Sequence, residues 1–229
     1  MKQLDSSTII EIFKRRYACK KFDASKSIAD SDFATILESG RLSPSSFGFE
    51  PWHFVVLQNK TERQKTLREK LKQSVWGGIH ALDSASHVVI LLARKRADLL
   101  PHSDYLHNVM ANVHKIPTEG IQLRRDYFAN FGEKEWGFLN DDAATFAWSA
   151  RQCYIALGNM MTTAAAALNI DSCAIEGFNL KETSTLLEKE NVLDSHHFGL
   201  AVMVGLGFAG EPPKHEKTRT PIEKISTFL

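Results

Sequence analysis

The chain has 229 residues, of which 43% are hydrophobic and 24% charged. That composition supports a sizeable core and excludes general disorder, and the length suits one large domain spanning 1–229 better than two independent ones. Lys+Arg 28 against Asp+Glu 27 leaves a formal net charge of +1, which removes the global electrostatic basis for binding nucleic acid or an anionic membrane.

Cys19, Cys153 and Cys173 are too few and too scattered for a disulfide framework, and no C-x-x-C pair suggests zinc or dithiol chemistry, so a reducing cytoplasm is the expected compartment. The stretch from Met1 to Arg16 carries Asp5 and Glu11 and lacks the apolar core of a secretory signal. Within it, Ile9, Ile10 and Phe13 predict one apolar face of a helix over 7–16 that ends in a basic pair. Phe33, Ile36 and Leu37 predict a second helix over 31–42, weakened at its end by Gly40. A loop follows at Ser43-Pro44-Ser45-Ser46, and then a β-rich run, His53–Leu57. The charged stretch Thr61–Lys72 reads as a solvated surface helix started by an Asn59 cap.

Val88–Leu92 predicts a strand buried on both faces, central in the sheet. From His102 to Phe138 the chain is polar, interrupted by Pro117 and Gly120 and rich in aromatics toward its end; two helices and a mobile excursion, placed to act as a lid, are expected. Asp142–Leu168 should be the longest element. It is apolar nearly all round, with Arg151 its only charge after the first residue, so it must be covered on every side; a second copy of the subunit is the economical cover. The uncharged run Gln152–Ile170 approaches a bilayer-spanning length, but its polar residues favour burial in protein. Asp171–Glu176 and Phe198–Val204 predict two further strands, separated by a helix that Asn179 caps. The polar, proline-bearing stretch from Glu211 reads as an arm outside the sheet. The sum is an α+β fold.

Several motifs invite chemistry. Gly205-Leu206-Gly207-Phe208-Ala209-Gly210 matches G-x-G-x-x-G, but Glu211-Pro212-Pro213 follows where a dinucleotide site needs a helix, so the glycines are expected to let a strand turn sharply. His102, His107, His114 and Asp104 lack the spacing to share one metal ion, and none is expected. Cys19, between Arg16 and Lys20, reads either as a thiolate nucleophile or as a small residue in a tight segment. Two basic groups, Arg15 to Lys21 near one terminus and Lys217-Thr218-Arg219 near the other, are either solvated surface or, if they converge, a clamp for a mono- or diphosphate.

Taken in order, Arg15–Asp23, Leu42–Ser46 with Glu50–Phe54, Ala85–Val89, Gln152, Ala156–Asn159, Ile175–Phe178 and Lys217–Arg219 resemble the FMN-dependent nitroreductases, in particular the oxygen-insensitive NAD(P)H-dependent group. The resemblance covers nearly the whole chain. It implies an α+β homodimer with a mixed central sheet, two FMN sites at the interface and a C-terminal arm that embraces the partner. It places Arg16, Lys217 and Arg219 on the FMN phosphate, with Tyr17 and Ala18 beside them. It sets Lys20 near the pyrimidine edge, where a cation stabilises the charge that follows hydride uptake. Pro44, Ser45 and Ser46 would contact the ring from the other subunit, Ile175, Glu176 and Gly177 would lie against its other side, and Gln152 would add a polar contact.

The chain departs from this pattern at Ala18, where a serine is common, at Gly48 and Glu50, which replace amides, and at Trp76–His80, where His80 takes a lysine's place. Phe128, Phe131 and Trp136 either line the open face or pack in a core. The activity implied is electron transfer from NAD(P)H through FMN to nitroaromatics, quinones or similar small molecules by ping-pong exchange, with no side chain reacting directly. A flavin reductase, a reductive dehalogenase or a non-enzymatic flavin-binding protein is the alternative on the same scaffold.

Overall fold

The computed structural model describes residues 5–229; Met1–Leu4, part of the segment read above as lacking a signal, lie outside the described residues. Four strands make the sheet: β1 (Trp52–Leu57), β2 (His87–Arg94), β3 (Asp171–Ile175) and β4 (Phe198–Gly207). Their spatial order is β1-β2-β4-β3, antiparallel at every junction, and a parallel bridge joins Ala18 to Ser172 at the free edge of β3. Val88–Leu92 is indeed internal. Its side chains alternate with the period of two that a strand imposes: Val88, Ile90 and Leu92 enter one apolar cluster, Val89 and Leu91 the other.

Among the described residues nine α-helices surround the sheet: α1 (Ser6–Arg15), α2 (Asp30–Arg41), α3 (Glu62–Leu71), α4 (Ile79–Ser84), α5 (Arg96–Leu99), α6 (Asp104–Asn108), α7 (Thr118–Ala129), α8 (Asp142–Ala167) and α9 (Leu180–Lys189). Phe33 and Ile36 of α2 and Cys153, Ala156, Leu157 and Met160 of α8 cover one face. Leu67 and Leu71 of α3, Leu82 of α4 and Leu187 of α9 cover the other. Gly40 marks where α2 crosses α8, since a Cβ there would stand 2.1 Å from the Met160 side chain. Its reason is close helix packing rather than a weak helix end.

Asn179 caps α9 as expected, accepting from Glu182 N at 3.2 Å. Helix α3 starts at Thr61 instead of Asn59: the Thr61 hydroxyl accepts from Gln64 N, and Gln64 reaches back to Thr61 N, a reciprocal capping pair. Nor is α3 simply solvated. Arg68 is 1% exposed and donates to the carbonyls of Leu57 and Ala85, both at 2.8 Å, and of Leu82 and Ser86. It ties α3 to the ends of β1 and α4, a use of a charged residue that helical spacing does not reveal.

The segment 102–138 forms α6, a π-helical turn (Val109–Val113), α7 and a second π-helical turn (Asn130–Glu135). It encloses a third core with Phe49, Phe128, Phe138 and Trp148, where Phe128 is fully buried and Phe138 stacks on Trp148 at 4.6 Å. Of the three aromatics with two readings, Phe128 is core, Phe131 is half-buried and Trp136 is exposed.

Helix α8, capped by Asp141, has its inner face in the core, but Tyr154 and Ile155 stay 40% and 41% exposed. Helix α1 buries none of its residues, leaving Ile9, Ile10 and Phe13 open. Past β4 the chain runs from Gly210 to Leu229 without a strand, with Ile222, Ile225 and Phe228 exposed. No described helix is long and apolar enough to cross a membrane.

Candidate cofactor site

The segment after α1 is extended and pinned along its length. Cys19 N donates to Ser172 O at 3.1 Å, Phe22 N to the Ser84 hydroxyl at 2.9 Å, and Asp23 N to Phe208 O at 2.8 Å. Phe22 lies under the three glycines of the G-x-G-x-x-G string: a Cβ on Gly207 would come within 2.9 Å of its ring, one on Gly210 within 3.0 Å of its carbonyl oxygen, and one on Gly205 within 3.3 Å of the ring. No left-handed φ occurs there. The glycines therefore admit a crossing segment; they do not turn the strand. Among the described residues no α-helix follows, only a single 3-10 turn at Ile222–Lys224, so the dinucleotide reading fails on structure as on sequence.

This segment meets the C-terminal one. Tyr17 donates its hydroxyl proton to Glu211 O at 3.0 Å, Lys21 pairs with the Glu211 carboxylate at 2.8 Å, and Lys217 Nζ donates to Phe13 O. Two cavities of about 660 and 630 Å³ open where they meet, sharing Tyr17, Ala18, Pro213 and His215. His215 and Lys214 were not singled out by sequence, since nothing in a polar, proline-rich stretch marks them.

Of the paired arginines, Arg15 is spent on the C-terminal end of α8, donating to Ala165 O and to the Asn169 side chain. Arg16 is not so used; it lines neither cavity, but its charge and that of Arg219 both act on Lys217. Among the described residues none of these three has a carboxylate within ion-pair distance. Partial burial, and then the charges of Arg16 and Arg219, hold the Lys217 ammonium below the usual lysine range. Three convergent cations with no internal counter-ion fit a phosphate monoester dianion, whose oxygens match guanidinium forks.

A third, smaller cavity of about 170 Å³ is lined by Lys20, Trp76, Gly77, Ile79, His80 and Cys173, so His80 does stand beside Lys20. Lys20 Nζ lies 3.5 Å from Cys173 Sγ and has no carboxylate partner among the described residues. At its rim two backbones touch: Gly77 N donates to Gly177 O at 2.7 Å, and a Cβ on Gly177 would stand 2.7 Å from Gly77 Cα. Because the obstacle is backbone, Gly177→Ala should destabilise the fold by about 1–3 kcal/mol, measured by urea unfolding. Ile175 is 1% exposed and packs in the core, so only its backbone is free for a ligand. Glu176 is exposed and accepts the hydroxyl proton of Tyr154.

Cys19 is buried, and that burial pushes its thiol up to about 11. The thiolate reading is overturned, because desolvation outweighs the flanking cations. Alkylation by iodoacetamide should be negligible at pH 7–8 in the folded protein and rise only above pH 10. No group of three or more potential metal ligands occurs among the described residues.

Pro44, Ser45, Ser46 and Gln152 form a separate group. Ser46 N donates to Gln152 Oε1 at 3.0 Å, and Asn159 donates to the Ser43 hydroxyl at 2.8 Å, which lays this loop along the first two-thirds of α8. Arg15, next to Arg16, is anchored at Ala165, thirteen residues further on, about 20 Å at the helical rise. None of the lining residues of the cation-bearing cavities comes from the loop.

An antiparallel sheet under α8, with cation-bearing cavities lined by residues from both ends of the chain, defines an α+β fold. Sequence comparison gives it a family: the nitroreductase family profile matches residues 13–206, and the chain belongs to that family of flavin-dependent oxidoreductases. A protein of Staphylococcus epidermidis, provisionally named an NAD(P)H nitroreductase, is 46% identical over 224 residues, 98% of each chain. Among solved structures, a nitroreductase-like protein of Streptococcus mutans superposes with a TM-score of 0.78 at 16% identity, covering 98% of this chain and all of that one. A nitroreductase-type protein of Exiguobacterium sibiricum, solved in complex with FMN, gives 0.72 at 17% identity over 100% and 99% of the two chains.

Proposed function

We propose that the protein is a homodimeric FMN enzyme that passes electrons from NAD(P)H to nitroaromatics, quinones or similar electron-poor small molecules, each chain forming one domain in the cytoplasm. The observation that carries this reading is the group of Arg16, Lys217 and Arg219, gathered with no carboxylate partner. The phosphate of FMN supplies the missing charge, and Tyr17 and Ala18 line the adjoining space. Bound there, the flavin supplies the redox chemistry, exchanging electrons with donor and acceptor in turn by a ping-pong scheme.

The side chains bind and polarise. Lys20, with His80 beside it, sets positive charge at one edge of the cofactor, which favours its reduced, anionic form. The backbone of Ile175, Glu176 and Gly177, at the rim of the Lys20 cavity, would contact the cofactor as well. Pro44, Ser45, Ser46 and Gln152, of which Ser46 and Gln152 stand about 20 Å along α8 from the anchor of Arg15, complete the pocket of a second copy instead of their own. The open faces of α1 and α8 and the apolar tail are the surfaces that such a twofold arrangement covers.

The test is an absorbance spectrum of the purified protein, followed by anaerobic titration with NADH and with NADPH. A yellow protein bleached by either nucleotide, and reoxidised by a nitroaromatic or a quinone, is the expected result. A protein without flavin that takes up none from solution overturns the reading. A holoprotein that neither nucleotide reduces makes it a flavin-binding protein only, and reoxidation confined to free flavin or to halogenated phenols moves it to the corresponding reductase.

A further inference from the structure

The loop that carries Ser45 and Ser46 continues into a conformation that its own residues disfavour. Phe47 has φ +58° and Glu50 has φ +47°, with Gly48 at +68° between them. For residues with a β-carbon the left-handed region costs about 1–2 kcal/mol each, and such strain persists only where the surroundings impose it. Here they do so carbonyl by carbonyl. Arg124 Nη2 donates to Phe47 O at 2.6 Å, His114 Nε2 lies 2.9 Å from Gly48 O, and the Tyr105 hydroxyl lies 2.7 Å from Phe49 O and 2.8 Å from Glu50 O. Four consecutive carbonyls are thus gripped by three side chains, and all three come from the helical segment 102–138. His114 directly follows one of that segment's π-helical turns, which offsets it from a regular helical register. The other end of the loop is fixed by Gln152 through Ser46 N.

We propose that Tyr105, His114 and Arg124 are positioning residues: they hold residues 45–50 in the strained shape that presents Ser45 and Ser46 to the FMN of the partner subunit. This rests on the proposed function for the ligand, but not for the grip itself. Segment 102–138 then works as a fixed clamp on one wall of the pocket, and the aromatic core around Phe128 is what makes it stiff. Arg124 suits the task because it has no carboxylate partner among the described residues and its guanidinium also lies 5.9 Å from the Phe47 ring centre.

The experiment uses the full-length protein and the variants Arg124→Leu, His114→Leu and His114→Gln. The last retains an N–H donor, so it should behave as wild type. The other two should remain folded dimers but show faster amide exchange across residues 46–50. Their FMN dissociation constants should rise about tenfold, the scale of one lost hydrogen bond, with a shifted visible flavin band. Unchanged exchange in both variants overturns the proposal, and so does faster exchange with unchanged FMN affinity and spectrum. Equal effects of His114→Leu and His114→Gln also overturn it, since they point to packing instead of the donor. Wild-type protein that takes up no FMN overturns the presentation to a cofactor together with the proposed function; exchange read on the same samples still decides whether the three side chains hold the loop.

Discussion

Replacing Arg16 or Arg219 with alanine is expected to weaken FMN binding by roughly 10- to 100-fold while leaving the apoprotein as stable as before or slightly more so. The two effects have opposite sign for one reason. Without ligand the guanidinium groups stand near protonated Lys217, whose ammonium they and partial burial destabilise; removing one relieves repulsion. With ligand each contributes charge-assisted hydrogen bonds of about 1.5–3 kcal/mol to the phosphate, and 1.4 kcal/mol is a factor of ten. Isothermal titration and thermal melts of the flavin-free protein measure both. Inorganic phosphate should raise the melting temperature of the apoprotein more than sodium chloride at equal ionic strength. A stability loss without an affinity loss would assign these cations to the fold.

Ile155→Asp should convert the protein to monomer and abolish FMN retention together. Ile155 touches none of the cations, yet it sits on the open side of α8, where a buried carboxylate against a second copy has no partner and costs several kcal/mol. If the pocket needs Ser46 and Gln152 from another copy, a monomer keeps its three cations and still holds flavin poorly. Light scattering coupled to size exclusion, with absorbance read across the peak, distinguishes the outcomes: a yellow monomer would mean that one chain suffices, and a yellow dimer that this face of α8 lies outside the interface.

Elements defined by long apolar patterns were legible in the sequence. The stretch Asp142–Leu168, with Arg151 its only charge after the first residue, predicts α8 within a residue of its observed ends, and Val88–Leu92 predicts the internal strand, because burial on both faces leaves no position for a polar residue. Features set by contacts between distant segments were not. Arg68 lies among charged neighbours and reads as solvated until four carbonyls converge on it. Gly205, Gly207 and Gly210 imitate a nucleotide fingerprint because a crossing phenylalanine asks for the same missing side chains. The π-helical turns have no periodicity to detect.

For the candidate site, the resemblance to a family pointed to Arg16, Lys20, Lys217 and Arg219, and in the structure the charges of Arg16 and Arg219 act on Lys217. Spacing alone could not show this, since two of them are some two hundred residues from the first. It also could not tell Arg15 from Arg16; only the end of α8 separates the anchored one from the free one.

The hydrogen bond from Tyr17 to Glu211 and the contact of Lys217 with Phe13 close the chain upon itself. A polypeptide emerging from the ribosome presents Arg16 first and gains Lys217 and Arg219 only in its final stretch. Under the proposed function, a molecule clipped before Lys217 keeps one anchoring cation of three and should bind FMN more weakly than the full-length chain.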